Sequence, residues 1–272
     1  MSNNKKPNTP NNTNTNKPQF GSVIENSVKI LKNKFKYLFI PAFILCAITQ
    51  LISNYMSSLI LLDGSNHINI KNPVIMALLV FIIIIIHCLI RAILMVIAYD
   101  SSSNKPEIPK VLSYVIKLLP YLILNFLIYG ALTSIGLFLY IIPGILVMTC
   151  FALYEPIIIF EQRTNIKCLI ESFTRVKSIF FTTFLIVIFC IICEQIPAYL
   201  FQYIGRNLGS SALFGLDQAI EIFINAITLS FVITTYISFY DEVKNQNKNK
   251  NKNKPKNIDK TNQKKNSAEN SQ

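Results

Sequence analysis

Ionisable side chains inside long apolar runs are the residues of this sequence most able to do chemistry. His87 and Arg91 lie one helical turn apart in one run, and Glu155 lies near the end of another, shortly before Glu161. A charge in hydrocarbon is costly, so such residues are functional candidates or are paired. Arg91 and Glu155 fall at similar predicted depths, and we predict an ion pair between them. The alternative is that Arg91 extends to lipid headgroups while Glu155 is protonated.

A second group of polar side chains is predicted towards the opposite membrane surface. Glu194 and Gln195 close one apolar run, and Gln218, Glu221 and Asn225 open the next. Hydrogen bonding between helices is one explanation for these residues. A small site for a ligand or an ion is the alternative.

Catalytic signatures are absent from the sequence. It contains no P-loop, no G-x-G-x-x-G, no G-x-S-x-G and no H-E-x-x-H motif. Cys190 and Cys193 have the spacing of a redox or zinc pair, but they lie in an apolar run with no second pair nearby, which favours a packing role. We therefore expect a protein that is not an enzyme, with no catalytic residue, no cofactor and no metal.

The apolar runs determine the predicted fold. Only 15% of the 272 residues are charged, against about 25% in soluble domains, and runs of about 20 apolar residues match the thickness of a bilayer. We predict an all-α fold, a polytopic six-span transmembrane helical bundle with interfacial amphipathic helices and disordered ends. The predicted spans cover residues 37–62, 73–98, 120–140, 145–160, 179–203 and 216–240.

The regions outside the membrane domain 37–240 are predicted to be of two kinds. Residues 1–19 and the Lys/Asn-rich residues 241–272 have nothing to bury, which is typical of disorder. Residues 20–36 have an S-x-x-E capping box at Ser22 and an apolar face opposite exposed lysines, which predicts an amphipathic helix on an anionic membrane surface. Residues 164–178 have the same periodicity, with a charged row formed by Lys167, Glu171 and Arg175.

The Pro143-Gly144 pair is a turn signal in an almost entirely apolar setting. It predicts a very short connection at this pair, with the third and fourth spans antiparallel. Lys and Arg gather at both ends, near residue 110 and between residues 163 and 177, whereas the other side has only Lys71 and Arg206. Because cytoplasmic loops carry the excess of Lys and Arg, both termini are predicted to be cytoplasmic.

Three short segments resemble the YciC-like bacterial inner-membrane proteins and the related membrane domain of some glycerophosphoryl diester phosphodiesterases. They are the I-P-G-I segment around Pro143 and Gly144, the P-x-x-x-x-E segment that ends at Glu161, and the S-F-x-x-V segment that begins at Ser172. The resemblance implies a six-span integral protein of the bacterial inner membrane whose biochemical role is poorly defined. The catalytic domain of the phosphodiesterases has no counterpart here.

These patterns leave three functional hypotheses. The first is a non-enzymatic protein of envelope organisation or scaffolding, with the lipid bilayer, anionic lipids and other membrane proteins as partners. The alternative is a small-solute transporter or channel that uses Arg91, Glu155, Glu194 and Glu221, although no inverted repeat is visible. A lipid-modifying enzyme is the third and weakest. Nucleic acid is not expected, because no aromatic residues alternate with the lysines of the C-terminal tail.

Overall fold

The computed structural model describes residues 18–62, 68–70, 72–100, 106–163, 165–208 and 214–252. The disorder predicted for residues 1–17 and 253–272 lies outside these residues. Within them the fold is an all-α bundle of the membrane-span type, with one short antiparallel hairpin that the sequence analysis did not predict. The elements are α1 (Phe20–Leu59), β1 (Ile60–Leu62), β2 (Ile68–Ile70), α2 (Pro73–Tyr99), α3 (Ile108–Leu139), α4 (Ile141–Cys150), α5 (Tyr154–Glu161), α6 (Lys167–Lys177), α7 (Phe180–Leu208) and α8 (Phe214–Lys252).

Five segments of the described chain are long and apolar enough to cross a membrane as helices. They are α1, α2, α3, the consecutive helices α4 and α5 taken together, and a large part of α8. Helices α6 and α7 meet the same criterion as a pair bent by 110°, which brings the number of spans to as many as six. The helices therefore identify the chain as a multi-pass membrane protein.

Helices α1 and α8 pack side by side in opposite directions and bring the two ends of the described chain together. The Ser22 hydroxyl donates to Glu242 Oε1 at 2.6 Å, and the Ser238 hydroxyl donates to the Val23 carbonyl at 3.0 Å. At the other end of the pair, Asn54 donates to Gln218 at 3.5 Å. The 40 residues of α1, which kinks at Lys34, and the 39 residues of α8 each correspond to about 60 Å of helix at ~1.5 Å per residue. This length is about twice the thickness of the hydrocarbon layer. Both therefore project beyond it on the same side, which we call the terminal side.

The N-terminal segment is helical as predicted, but its surroundings differ from the prediction. A kink with non-helical backbone angles at Lys34 (φ −120°, ψ 17°) separates residues 20–33 from the rest of α1, close to the predicted boundary at residue 36. The Lys34 ammonium group donates to the Ile97 carbonyl at 2.7 Å. The buried positions Val23 and Ser27 pack in the bundle and so do not face lipid. The predicted cap at Ser22 is wrong, because the helix begins at Phe20. The Ser22 hydroxyl lies within hydrogen-bond distance of the Gln19 carbonyl, at 2.8 Å, as well as of Glu242.

The C-terminal boundary of the membrane domain also lies further along the chain than predicted. Helix α8 continues through residues 241–252, which the sequence analysis had assigned to the disordered tail. Val243 is buried, and the Lys244 ammonium lies 5.3 Å and 5.4 Å from the ring centroids of Tyr99 and Tyr240. It also donates to the Tyr99 hydroxyl at 2.9 Å. Tertiary contacts therefore stabilise a helix in a segment whose composition alone favours disorder.

The turn between the third and fourth spans is not at Pro143-Gly144. Tyr140 alone, in an extended conformation, separates α3 from α4, and the Pro-Gly pair lies in the first turn of α4. Proline is tolerated there because the first N–H groups of a helix have no helical partner. Gly144 allows a close crossing of the two helices: a Cβ at Gly136 would lie 3.0 Å from the Gly144 Cα.

We expect Gly144→Val to destabilise this crossing by about 1–3 kcal/mol, the usual cost of overpacking. A Cβ at residue 144 would overlap the Leu137 side chain and lie 3.0 Å from the Leu137 backbone nitrogen. Thermal unfolding in detergent measures the effect. Gly130→Val is the matched control, since a Cβ at Gly130 would meet nothing within 4 Å. Equal melting temperatures for the two variants would show that the crossing does not require glycine.

Candidate functional site

The Arg91–Glu155 ion pair is the candidate site, and the structure confirms that the two side chains meet. Arg91 is on α2 and Glu155 is in the first turn of α5, and Glu155 Oε2 accepts from Arg91 Nη2 at 3.0 Å and from Nε at 3.3 Å. The two side chains are 17% and 15% exposed. Each removes the cost of leaving the other as an isolated charge in hydrocarbon.

Aromatic side chains complete the surroundings of this pair. The Tyr154 hydroxyl donates to Glu155 Oε1 at 3.0 Å, so both carboxylate oxygens have a donor. The Tyr129 ring packs on Tyr154 with centroids 5.1 Å apart, and the His87 ring packs on Phe126 at 5.9 Å. A cavity of about 10 Å³ beside the pair has room for about one water molecule. The pair is thus closely surrounded, without space for a larger solute.

Glu194 on α7 belongs to the surroundings of the ion pair, which the sequence analysis did not predict. Its carboxyl group lies within electrostatic range of Arg91 and Glu155. The predicted partner Glu221 is partly exposed on α8. Nearby on α8, Gln218 accepts from Asn54. Among the described side-chain contacts, none joins Glu194 to Glu221, and the polar patch that we predicted from these two residues stays a prediction.

A break in the fourth span lies next to Glu155. The predicted single helix 145–160 is interrupted at residues 151–153, between α4 and α5. Ser172 of α6 repairs this break: its hydroxyl accepts from the Leu153 N–H at 3.1 Å and donates to the Cys150 carbonyl at 3.2 Å. Because lipid offers no hydrogen-bond partner to free backbone groups, the buried Ser172 hydroxyl is what allows the break.

Glu161 and Arg175 form a second charged cluster, at the terminal side of the bundle. Glu161 Oε1 and Oε2 accept from Arg175 Nη1 and Nη2 at 2.6 Å and 2.7 Å, a bidentate pair. Glu171 Oε1 accepts from Arg175 Nε at 2.9 Å, and the Tyr240 hydroxyl donates to Glu161 at 2.9 Å. The cluster ties α5 and α6 to α8.

Arg175 was predicted to lie in a solvated row with Lys167 and Glu171, and this is wrong, because its side chain is only 11% exposed. Burial alone would lower the pKa of Arg175, but hydrogen bonds to Glu161 and Glu171 outweigh burial and raise the pKa above its ordinary value. The guanidinium is therefore permanently charged.

Metal and thiol sites are the remaining candidates among the residues that the structure describes. No three His, Cys, Asp or Glu side chains in them lie close enough together to bind a metal ion. All six cysteines are free, and Cys190 is buried, in keeping with a packing role for it.

Comparison with known proteins gives no match: no protein-family model, no curated protein and no solved structure is similar to this chain. The resemblance to YciC-like proteins, which is based on the segments around Pro143, Glu161 and Ser172, stays a prediction. What the structure adds is a role for each of these motif residues. Gly144 permits the α3–α4 crossing, Ser172 closes the break, and Glu161 binds α6.

We expect Arg91→Met to destabilise the protein by about 3–5 kcal/mol, because it leaves Glu155 as an unpaired carboxylate. The double variant Arg91→Met, Glu155→Met should recover most of that loss, since it removes both charges and retains apolar volume. The free energies of unfolding of the wild type, both single variants and the double variant, measured in lipid bicelles, form a double-mutant cycle. Strictly additive losses would contradict a direct interaction.

The hydrogen bonds of Ser172 to the break at residues 151–153 can be tested separately. Ser172→Ala leaves the Leu153 N–H and the Cys150 carbonyl without their partner, at an expected cost of about 1–3 kcal/mol. Hydrogen exchange at residues 150–154 should become faster. Ser178→Ala, at an exposed serine that donates to the Arg175 carbonyl, is the control and should leave this exchange unchanged. Unaltered exchange in both variants would mean that Ser172 has no such role.

Proposed function

We propose that this chain is a non-enzymatic integral protein of the bacterial inner membrane. In this proposal it works as a scaffold whose docking surface is the outward face of α6 on the cytoplasmic side. The observation that supports this proposal most directly is that the two faces of α6 differ. One face is packed in the bundle, and the other presents apolar side chains with no covering from the described chain.

The packed face fixes α6 in position. Cys168, Leu169, Ser172 and Val176 are buried, and the Cys168 thiol donates to Asn125 Oδ1 at 3.1 Å. Together with the bidentate Arg175–Glu161 pair, these contacts join α6 to α3, to the α4–α5 break and to α5. The helix is therefore a rigid platform and not a loosely attached segment.

The outward face of α6 and of Ile166, the residue directly before it, is what we call the docking face. It consists of Ile166, Ile170 and Phe173, flanked by the exposed Lys167 and Lys177. The three apolar side chains are between 47% and 62% exposed. Apolar side chains between lysines suit the boundary of an anionic lipid leaflet, where the apolar groups enter the acyl region and the lysines contact phosphates. The proposed partners are anionic lipids and other membrane proteins that share this leaflet.

The proposed orientation, with both termini cytoplasmic, is supported by the position of the basic residues. Helix α6 is on the terminal side, because Glu161 contacts both Arg175 and Tyr240. The exposed lysines of α1, at residues 29, 32 and 36, are on that side too. An excess of Lys and Arg on one side is the usual mark of the cytoplasmic face.

A transporter is the second candidate, favoured by one observation. Glu194, Arg91 and Glu155 interact on three different helices next to a broken span, and broken spans accompany ion and substrate sites in many transporters. The cavity of about 10 Å³ beside the pair and the full pairing of Glu155 support the scaffold instead.

The docking face is tested by the lipid dependence of hydrogen exchange in α6. We expect slower exchange in nanodiscs containing phosphatidylglycerol than in nanodiscs of phosphatidylcholine alone. Lys167→Gln, Lys177→Gln should abolish this difference, because each lysine near an anionic surface contributes about 1 kcal/mol. Lys110→Gln is the control at an exposed lysine outside α6. Equal exchange in both lipids for the wild type would refute docking to anionic lipid.

Proteoliposomes separate the scaffold from the transporter. The scaffold predicts proton and cation fluxes equal to those of empty vesicles. A flux that depends on the protein and is lost in Glu194→Gln, with unchanged thermal stability, would favour the transporter and overturn our proposal.

A further inference from the structure

The turn between α3 and α4 presents an unbroken group of exposed apolar side chains. Phe138 is 92% exposed, Tyr140 is 79%, Ile141 and Ile142 are 71%, and Leu139 is 63%. We call residues 138–142 the hairpin tip. Five consecutive large apolar residues at a turn are unusual for a connection that lies in water.

The lengths of the two arms limit how far the tip can extend. On α3, the exposed Lys117 lies 23 residues before Tyr140, which is about 35 Å at ~1.5 Å per residue. On the other arm, the segment Ile141–Glu161, which includes the break at residues 151–153, contains 21 residues, or about 32 Å. The hydrocarbon layer is about 30 Å thick. With Lys117 and the Glu161–Arg175 pair at one boundary, the tip reaches the opposite boundary and extends little beyond it.

The composition of the hairpin agrees with this depth. No Asp, Glu, Lys or Arg occurs from residue 126 to residue 154, a stretch with Tyr140 near its middle. The sequences between α1 and α2 and between α7 and α8 are polar instead, at Asp63 to Asn66 and Asn207 to Ser210. The close Gly136–Gly144 crossing allows a one-residue turn at Tyr140. The backbone groups of Tyr140 are paired, because its N–H donates to the Gly136 carbonyl at 3.1 Å and its carbonyl accepts from the Gly144 N–H at 3.4 Å.

We propose that the hairpin tip is a lipid-binding surface embedded in the leaflet opposite the termini. Phe138, Leu139, Ile141 and Ile142 lie among the acyl chains in this arrangement. The Tyr140 ring takes the headgroup boundary, where aromatic residues with a polar group are enriched. The partner is the acyl and glycerol region of phospholipid, without preference for headgroup charge, since the tip has no charged residue. This surface is independent of the proposed docking face, which lies at the terminal side.

The chain has no tryptophan, so a single introduced indole reports its own surroundings. Phe138→Trp and Tyr140→Trp are each reconstituted in full-length protein in phosphatidylcholine nanodiscs. We expect blue-shifted emission, severalfold stronger quenching by lipids with brominated acyl chains than for the control, and protection from aqueous iodide. Lys110→Trp is the water-exposed control, because Lys110 is a charged residue at the start of α3, far from the tip, and it pairs with the exposed carboxylate of Glu107. The two tip positions are alternatives in case one variant fails to fold.

Two results would overturn the proposal. Quenching of both tip indoles by iodide to the extent of the Lys110→Trp control would place the tip in water. The second result is weak quenching by both reagents. If quenching by brominated lipid then rises when the protein is diluted into excess lipid, a second copy of the chain covers the tip. Equal results in nanodiscs with phosphatidylglycerol are expected, whereas stronger lipid quenching there would contradict the absence of headgroup preference.

Discussion

The hydrocarbon layer of a bilayer provides no hydrogen-bond partner and no counter-ion, and this constraint accounts for the pairing of the polar groups around Glu155. Arg91 and Glu155 can both be charged only because they meet, and the second oxygen of Glu155 is satisfied by Tyr154. The break at residues 151–153 exposes backbone groups that a continuous helix would pair internally, and Ser172 pairs two of them. In water either feature would be unremarkable, since solvent would replace the missing partner. In hydrocarbon each requires a specific side chain from another helix.

The same constraint explains which parts of the structure could be predicted from sequence. Long apolar runs identify the spans because a helix is the simplest way to pair every backbone group in lipid, and Arg91 and Glu155 could be paired because they were charges at similar depth. Ser172 could not be found this way, since a serine in an amphipathic segment looks like a surface residue until the break that it repairs is seen. Nor could Glu194 be assigned to the pair, because position along a span gives depth but not the direction of the side chain.

The wrong predictions have local causes. A Pro-Gly pair is a turn signal in water, but at Pro143 and Gly144 the proline occupies a helix start and the glycine a helix crossing. The lysines and asparagines after Tyr240 have no apolar period, yet residues 241–252 are helical because α8 is already nucleated and packs on α1. Extending a helix costs far less than starting one. Rules based on composition describe segments in isolation. The Pro-Gly pair is instead part of a contact between two helices, and residues 241–252 extend a helix that begins at Phe214.

Helix α6 connects the two charged sites of the protein. Through Ser172 it contacts the break directly before Glu155, and through Arg175 it contacts Glu161, which in turn binds Tyr240 of α8. A force on the outward face of α6 therefore acts on both ends of α5, whose eight residues carry Glu155 near one end and Glu161 at the other. If α6 moved away from the bundle, the break would lose two hydrogen bonds and Glu161 its bidentate partner at once. Since the hydrocarbon layer offers no replacement for the two hydrogen bonds of the break, the position of α6 is coupled to the conformation of the span that carries Glu155.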